Sequence, residues 1–333
     1  MVGERGGVLT RPEYDGGSDP EVPVRPTTQR TTGDRIFRVV ATGATSVSLI
    51  IVAVTFIFLV NGSRPALESS GVWNFFTGSI WNPTVGNFGV LGLLEGTLII
   101  AAIAMVIALP LALAMALFIN EYAPARLRRI LTSVIDLLAA LPSLLFGYWG
   151  LKALQGQLVP ISTFLGSHFG AVPFLELSGH TPRLVGSAFI AGVVVAIMIM
   201  PIITSVSRDV MAQVPREQCE GALALGGTRW GMVREVILPY GKNGIVGAAL
   251  LGFGRALGET IAIALIVSLV FKANTHILET GAGAIAPLIA IRFSEASSLE
   301  RSALIAAGLA LFLLTLAVSL IARRIVARSA AVK

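Results

Sequence analysis

Apolar residues in this chain gather into six long runs, at 36–60, 91–119, 131–151, 184–205, 244–271 and 302–322, parted by segments rich in Gly, Pro, Asn and Arg. Each run has roughly the twenty residues that a helix needs to cross a hydrocarbon core of about 30 Å. From Ala188 to Met200 there is no polar side chain at all. The pattern predicts an all-α, polytopic integral membrane protein with six transmembrane helices. The third run is the least regular, because Pro142 and Gly147 interrupt it. A proline inside a span frees a carbonyl, which a neighbouring helix, a hydroxyl such as Ser143, or water must satisfy.

The segments between the runs set the organisation. Residues 1–34 are rich in Gly and Pro and carry charges of both signs, a composition that cannot bury enough apolar surface to order itself. That stretch reads as a disordered cytoplasmic tail and is too charged and long for the start of a cleaved signal peptide. Residues 35–325 form the membrane domain, and 326–333 a second cytoplasmic tail. Arginines cluster before the first run, at Arg126, Arg128 and Arg129, again from Arg208 to Arg234, and after the last run. Basic residues are retained on the cytoplasmic side, so both termini are expected there. The loop 61–90 carries Trp73, Phe75, Phe76, Trp81 and Phe88, which read as anchors at the membrane–water interface. The loop 152–183 reads as a long irregular excursion.

Composition narrows the function. Of 333 residues, 54% are apolar and 13% charged, where soluble domains carry about 25% charge. The net charge of +6 comes from residues beside membrane segments, so nucleic acid is not an expected partner and the lipid membrane is. Cys219, the single cysteine, excludes an intrachain disulfide and a multi-cysteine metal site. His168, His180 and His276 are scattered, lack ligand spacing and read as solvated loop residues. The chain has no phosphate-cradling G-x-x-x-x-G-K-[ST], no H-E-x-x-H and no G-x-S-x-G. No catalytic residue, metal ligand or cofactor is therefore expected, and a membrane enzyme is disfavoured.

The most informative stretch is 216–240, between the fourth and fifth runs. Two short helical segments flank Gly226-Gly227, Thr228 is suited to cap the second, and Pro239 is expected to end it. The stretch reads either as a projection that fits a groove on another protein or as an amphipathic connector on the lipid. Glu220-Gly221-Ala222, three residues, Gly226, nine residues, then Val236-Ile237-Leu238-Pro239 resembles the EAA loop of ABC-importer permeases, type I. Gly221 stands where alanine is usual and Val236 where isoleucine is. The resemblance implies that Glu220, Gly221, Ala222, Gly226, Leu238 and Pro239 couple the chain to a separate ATPase. ATP-Mg is then used by that partner and not by this chain.

The fifth run contains Gly254-Arg255-Ala256-Leu257-Gly258-Glu259-Thr260. Measured from Gly244, Arg255 lies roughly 16 Å along a helix, close to mid-membrane. Glu259 would follow one turn on, on the same face. Two readings stay open: a structural ion pair beside a Gly-x-x-x-Gly packing face, or groups lining a pathway. The sequence GRALGET resembles the phosphate-specific members of the ABC-importer permeases, as do Glu121-Tyr122-Ala123-Pro124 and Asp136 to Ser143 followed by Gly147-Tyr148-Trp149-Gly150. The likeness spans about 36–325 and is nearer the PstC-type than the PstA-type member of the permease pair. It implies import of inorganic phosphate by alternating access. The implied partners are a second, homologous permease, two ATP-binding subunits and an extracytoplasmic phosphate-binding protein. Arg255 and Glu259 would then line the substrate pathway, while Asp136, Pro142 and Ser143 mark a helix junction. The rivals are a permease of the same class for sulfate, molybdate or an amino acid, and a secondary transporter that needs no ATPase.

Overall fold

The computed structural model of the chain describes residues 32–178, 182–271 and 274–330. Thirteen helices and one two-stranded hairpin follow in order among them. They are α1 (Thr32–Ser70), α2 (Val72–Thr77), β1 (Trp81–Asn82), β2 (Asn87–Phe88), α3 (Leu91–Leu117), α4 (Ala125–Ala140) and α5 (Ser143–Trp149). Then come α6 (Gln155–Phe169), α7 (Ala188–Met211), α8 (Arg216–Ala224), α9 (Arg229–Met232), α10 (Leu238–Leu257), α11 (Ile261–Ile266), α12 (Ile285–Arg292) and α13 (Ser298–Ala330). Short π-helical turns at Phe118–Tyr122, Gly150–Leu154 and Val233–Ile237 extend α3, join α5 to α6 and join α9 to α10. Five helical stretches are long and apolar enough to cross a membrane, and a bent pair, α4 with α5–α6, makes a sixth.

α7 is the hub. The most apolar part of this helix is 61% buried, more than in any other span among the described residues. Its principal neighbour is α3, which turns a stripe of fully buried alanines inward, at 101, 104, 108, 112 and 116. Small residues at helical spacing let two backbones approach closely, which is how helices gain dispersion energy in lipid. On the α7 side Gly192 takes the closest contact: a methyl there would come within 2.5 Å of Ile103.

Two compact units divide at Ala53/Val54. In the first, residues 32–53 of α1 are helical and exposed throughout. In the second, α1 continues to Ser70, and at Pro65 the Ser302 hydroxyl enters its hydrogen-bond ladder. It accepts from Ala66 N at 3.1 Å and donates to Gly62 O at 2.7 Å. The residues read as a disordered tail, 1–34, fall outside the described set up to 31, and the first helix begins at Thr32. At the other end α13 runs on to Ala330, past the boundary at 325.

Five expectations change. The third run does not form one straight helix over 131–151: α4 stops at Ala140, and α5–α6 leaves at 93°. Pro142 cannot donate and forces Leu141 into extended backbone, so backbone atoms close the break, with Leu141 N donating to Leu138 O and Leu145 N to Pro142 O. The helix then continues through Pro160 to Phe169, so much of 152–183 is helical, not irregular, and His168 is a helical residue stacked on Phe164. The fifth run, read as 244–271, is displaced: the apolar helix spans Arg229–Leu257 and ends before Gly258. The aromatic loop is not a set of interfacial anchors. Phe75 and Phe88 are fully buried, and Trp81 is wedged edge-on against Phe88 at 5.0 Å and stacked on Phe271 at 6.0 Å. Only Trp73 of this group's tryptophans is exposed.

Candidate functional site

The stretch 216–240 folds as a helical hairpin. α8 has no buried residue, so it stands off the bundle. Its end is a complete Schellman motif: Gly226 N donates to Leu223 O at 3.0 Å and Gly227 N to Ala222 O at 3.1 Å. Gly226 sits at φ +86°, the left-handed conformation that only glycine adopts without cost. Thr228 then caps α9, its hydroxyl accepting from Gly231 N at 3.0 Å. Glu220 and Gly221 are exposed, a methyl at Gly221 would touch nothing within 4 Å, and Leu225 at the tip is 92% exposed. Pro239 does not end the helix. Its ring would clash with the carbonyl four residues back, and the wider turn Val233–Ile237 immediately before it lets the helix continue into α10.

A small core roots the hairpin. Met232, Val233 and Ile237 pack against Ala116 of α3 and Met211 and Val214 at the end of α7, with Ala222 and Leu238 at the edge. Polar contacts tighten it. The turn Phe118–Tyr122 ends α3 and leaves carbonyls without helical partners. Arg128 Nε donates to Ile119 O at 2.9 Å and its Nη2 to Asn120 O at 2.6 Å, while Arg229 Nη1 donates to Glu121 O at 3.1 Å. Cations at a helix C-terminus also meet its negative dipole end. Asn120 Nδ2 in turn donates to Arg208 O on α7 at 2.8 Å. The hairpin, α3, α4 and α7 are thus tied at one end of the bundle.

Arg255 lies in the last turn of α10 and not in the middle of its crossing. The helix stops between it and Glu259, so the expected same-face pair does not form. Among the described residues Arg255 makes no ion pair and is exposed, whereas Glu259 is buried and accepts from Ala262 N at 3.1 Å, starting α11. Gly254 has nothing within 4 Å, so the Gly-x-x-x-Gly face is not packed within this chain; Gly252, against Ile203, takes the tight contact instead. At the break in the third run, Pro142 precedes α5 and Ser143 opens it. Asp136, one turn before the end of α4, accepts from Ser205 Oγ at 3.4 Å and lies 3.9 Å from Arg208 Nη1.

The family described as binding-protein-dependent transport system inner membrane component matches residues 108–330. The chain belongs to this family. It is 40% identical over 297 residues, 88% of its length and 91% of the relative's, to phosphate transport system permease protein PstC 2 of Mycobacterium tuberculosis. It is 39% identical over 89% of its length, and 91% of the relative's, to phosphate transport system permease protein PstC of Xylella fastidiosa. A similar fold is seen in the crystal structure of a bacterial ABC transporter involved in the import of the acidic polysaccharide alginate. The two agree with a TM-score of 0.54 and 16% identity over 88% of this chain and 99% of that one. The protein is accordingly a multi-pass inner-membrane component of a transport system.

Reading the sequence missed three residues that matter to this inner-membrane component: Asn120, Arg128 and Arg229. The arginines registered only as charges that fix orientation. Their guanidinium groups close carbonyls as far as 108 positions away, which no local pattern announces. Cys219, beside a pocket of about 280 Å³ shared with Glu121, Arg128 and Ile237, also belongs to this region. Burial pushes its thiol above the ordinary value, and the nearby carboxylates of Glu121 and Glu220 push it further.

Proposed function

We propose that this chain is the permease subunit of an ATP-driven importer of inorganic phosphate, coupled through 216–240 to a separate ATPase that binds ATP-Mg. The observation that carries the reading is the hairpin: an exposed α8, closed by a Schellman motif at Gly226 and rooted rigidly on α3 and α7. A lever of that form has no use within one chain. It fits a cleft on a partner whose closure moves the membrane helices between inward- and outward-open states. Glu220, Gly221, Ala222 and Gly226 form the docking element, and Leu238 and Pro239 join it to the span. The basic connections put both termini in the cytoplasm. The remaining partners are a second, homologous permease, a second ATPase copy and an extracytoplasmic phosphate-binding protein.

Phosphate is supported by relatives about 40% identical over nearly the whole chain, which are phosphate transport system permease proteins. Arg255, exposed and without a counter-charge among the described residues, offers the passing anion a charge-assisted contact. Glu259 fixes the start of α11 and leaves its second carboxylate oxygen to accept from a protonated phosphate oxygen. Sulfate, which carries no proton at neutral pH, is disfavoured beside that carboxylate. Asp136, Pro142 and Ser143 hold the helix junction. The test is uptake of labelled phosphate by the assembled transporter in vesicles, with and without ATP, against excess unlabelled sulfate and molybdate. Competition by sulfate equal to that by phosphate would overturn the substrate, and uptake without ATPase or nucleotide would overturn the coupling.

A further inference from the structure

The 93° break after Ala140 leaves α4 with an apolar stripe that no described residue fully covers. Leu127, Ile130, Val134, Leu137 and Leu138 recur at helical spacing and are 36% to 65% accessible. The side packed on α7 is another one, marked by buried Ile135. Beside the stripe, Arg126 and Arg129 are exposed and make no ion pair among the described residues, while Arg128 is spent on the carbonyls of α3. The residues from Ser143 to Phe169 span about 40 Å at 1.5 Å per residue, which by length is enough to cross the hydrocarbon. With that segment upright, a right-angle bend lays α4 in the plane of the bilayer.

We infer that α4 is an interfacial helix, with its stripe sunk among the acyl chains at the face carrying the basic connections and with Arg126 and Arg129 on anionic lipid headgroups. An apolar stripe flanked by exposed arginines is the pattern of a helix that lies on a membrane. Both ends of α4 are joined to spanning helices, so the bilayer surface is always within reach. The two unpaired, exposed arginines complement anionic headgroups, and that charge complementarity is what favours lipid as the occupant of this face. The position matters because α4 also holds Arg128 and Asp136, so a lipid contact would bear on the same end of the bundle as the coupling hairpin. The inference does not depend on which solute is carried.

The test uses the assembled transporter in phosphatidylcholine–phosphatidylglycerol vesicles. Single cysteines replace Leu127, Val134, Leu137, Arg129 or Ser133 in a Cys219→Ser background, and each is spin-labelled. Labels at 127, 134 and 137 are expected to collide several-fold more with oxygen than with an aqueous nickel chelate, at one common shallow depth. Labels at 129 and 133 should show the reverse. A depth that grows steadily from 127 to 137 would make α4 part of a crossing. Stripe labels shielded from both reagents would put a protein partner on the face. Either result overturns the proposal. The Arg126→Gln/Arg129→Gln pair should abolish the deepening that phosphatidylglycerol produces over pure phosphatidylcholine; a depth indifferent to phosphatidylglycerol in the unaltered chain would overturn the headgroup contact.

Discussion

Arg208 and Arg255 sit on two helices that pack together, α7 and α10, and the chain treats them in opposite ways. Arg208 is nearly enclosed, its side chain 14% exposed, with Asp209 at 2.9 Å, Asp136 at 3.9 Å and the Ser205 hydroxyl at 3.3 Å. Among the described residues Arg255 has neither an acid nor a hydroxyl partner, and the glycine before it leaves open space. An arginine costs at least about 2.5 kcal/mol at the centre of a bilayer and less in the last turn of a span, where both of these sit, and a partner or a cavity relieves that cost. For Arg208 the relief comes from the same polypeptide, so its job is architectural. For Arg255 no described residue supplies it, which under the proposed function leaves the guanidinium free to meet a transient anion.

The largest effect should come from removing the charge that lacks a partner. Arg255→Gln is expected to lower phosphate uptake by roughly ten- to a hundredfold, the weight of a hydrogen bond to a charged group, without moving the melting temperature of the complex. Arg255→Lys should recover part of it, and wild-type uptake from both would break the contrast. Next comes Arg208→Gln, which should cost about 1–2 kcal/mol of stability, discounted from a fully buried pair because Asp136 is half exposed. Adding Asp136→Asn should return some of that loss in a double-mutant cycle, while uptake per folded complex is kept. The hairpin offers a pair of opposite sign. Gly226→Ala should lose about 1–2 kcal/mol locally through the left-handed backbone, and Gly221→Ala should gain up to about 1 kcal/mol of helix propensity. Stimulation of the partner ATPase would read both. The smallest effect concerns Cys219. Its raised pKa favours the neutral thiol, so maleimide labelling at neutral pH should run slower than for a free thiol and rise only at more alkaline pH. Glu121→Gln should move that rise back toward neutrality.

The spans were legible because a membrane writes itself into the sequence as uninterrupted apolar runs, and the EAA pattern was legible because its glycine marks a required backbone conformation. Thr228 could be read as a cap for the same reason: the cause lies within three residues. What failed involved continuity or distance. The Arg255–Glu259 pair assumed a helix running through Gly258, whereas Glu259 spends its carboxylate on Ala262 and restarts the chain. Pro142 announced a break, but the size of the bend depends on how α4 meets α7. The aromatic loop looked interfacial because residue type alone cannot tell a headgroup from Phe271, which lies far along the chain and packs on Trp81.

The turn at Val233–Ile237 carries a further consequence. A π-helical turn holds one residue more than the α-helix around it, so everything downstream is rotated by about 100° relative to an uninterrupted helix. The face that α10 presents is therefore set by this extra residue as much as by its own side chains. Closing that turn to ordinary α geometry with every residue kept would swing Arg255 more than a quarter of the way around the helix axis, whereas deleting a single position there would remove the bulge and leave the face of α10 as it is.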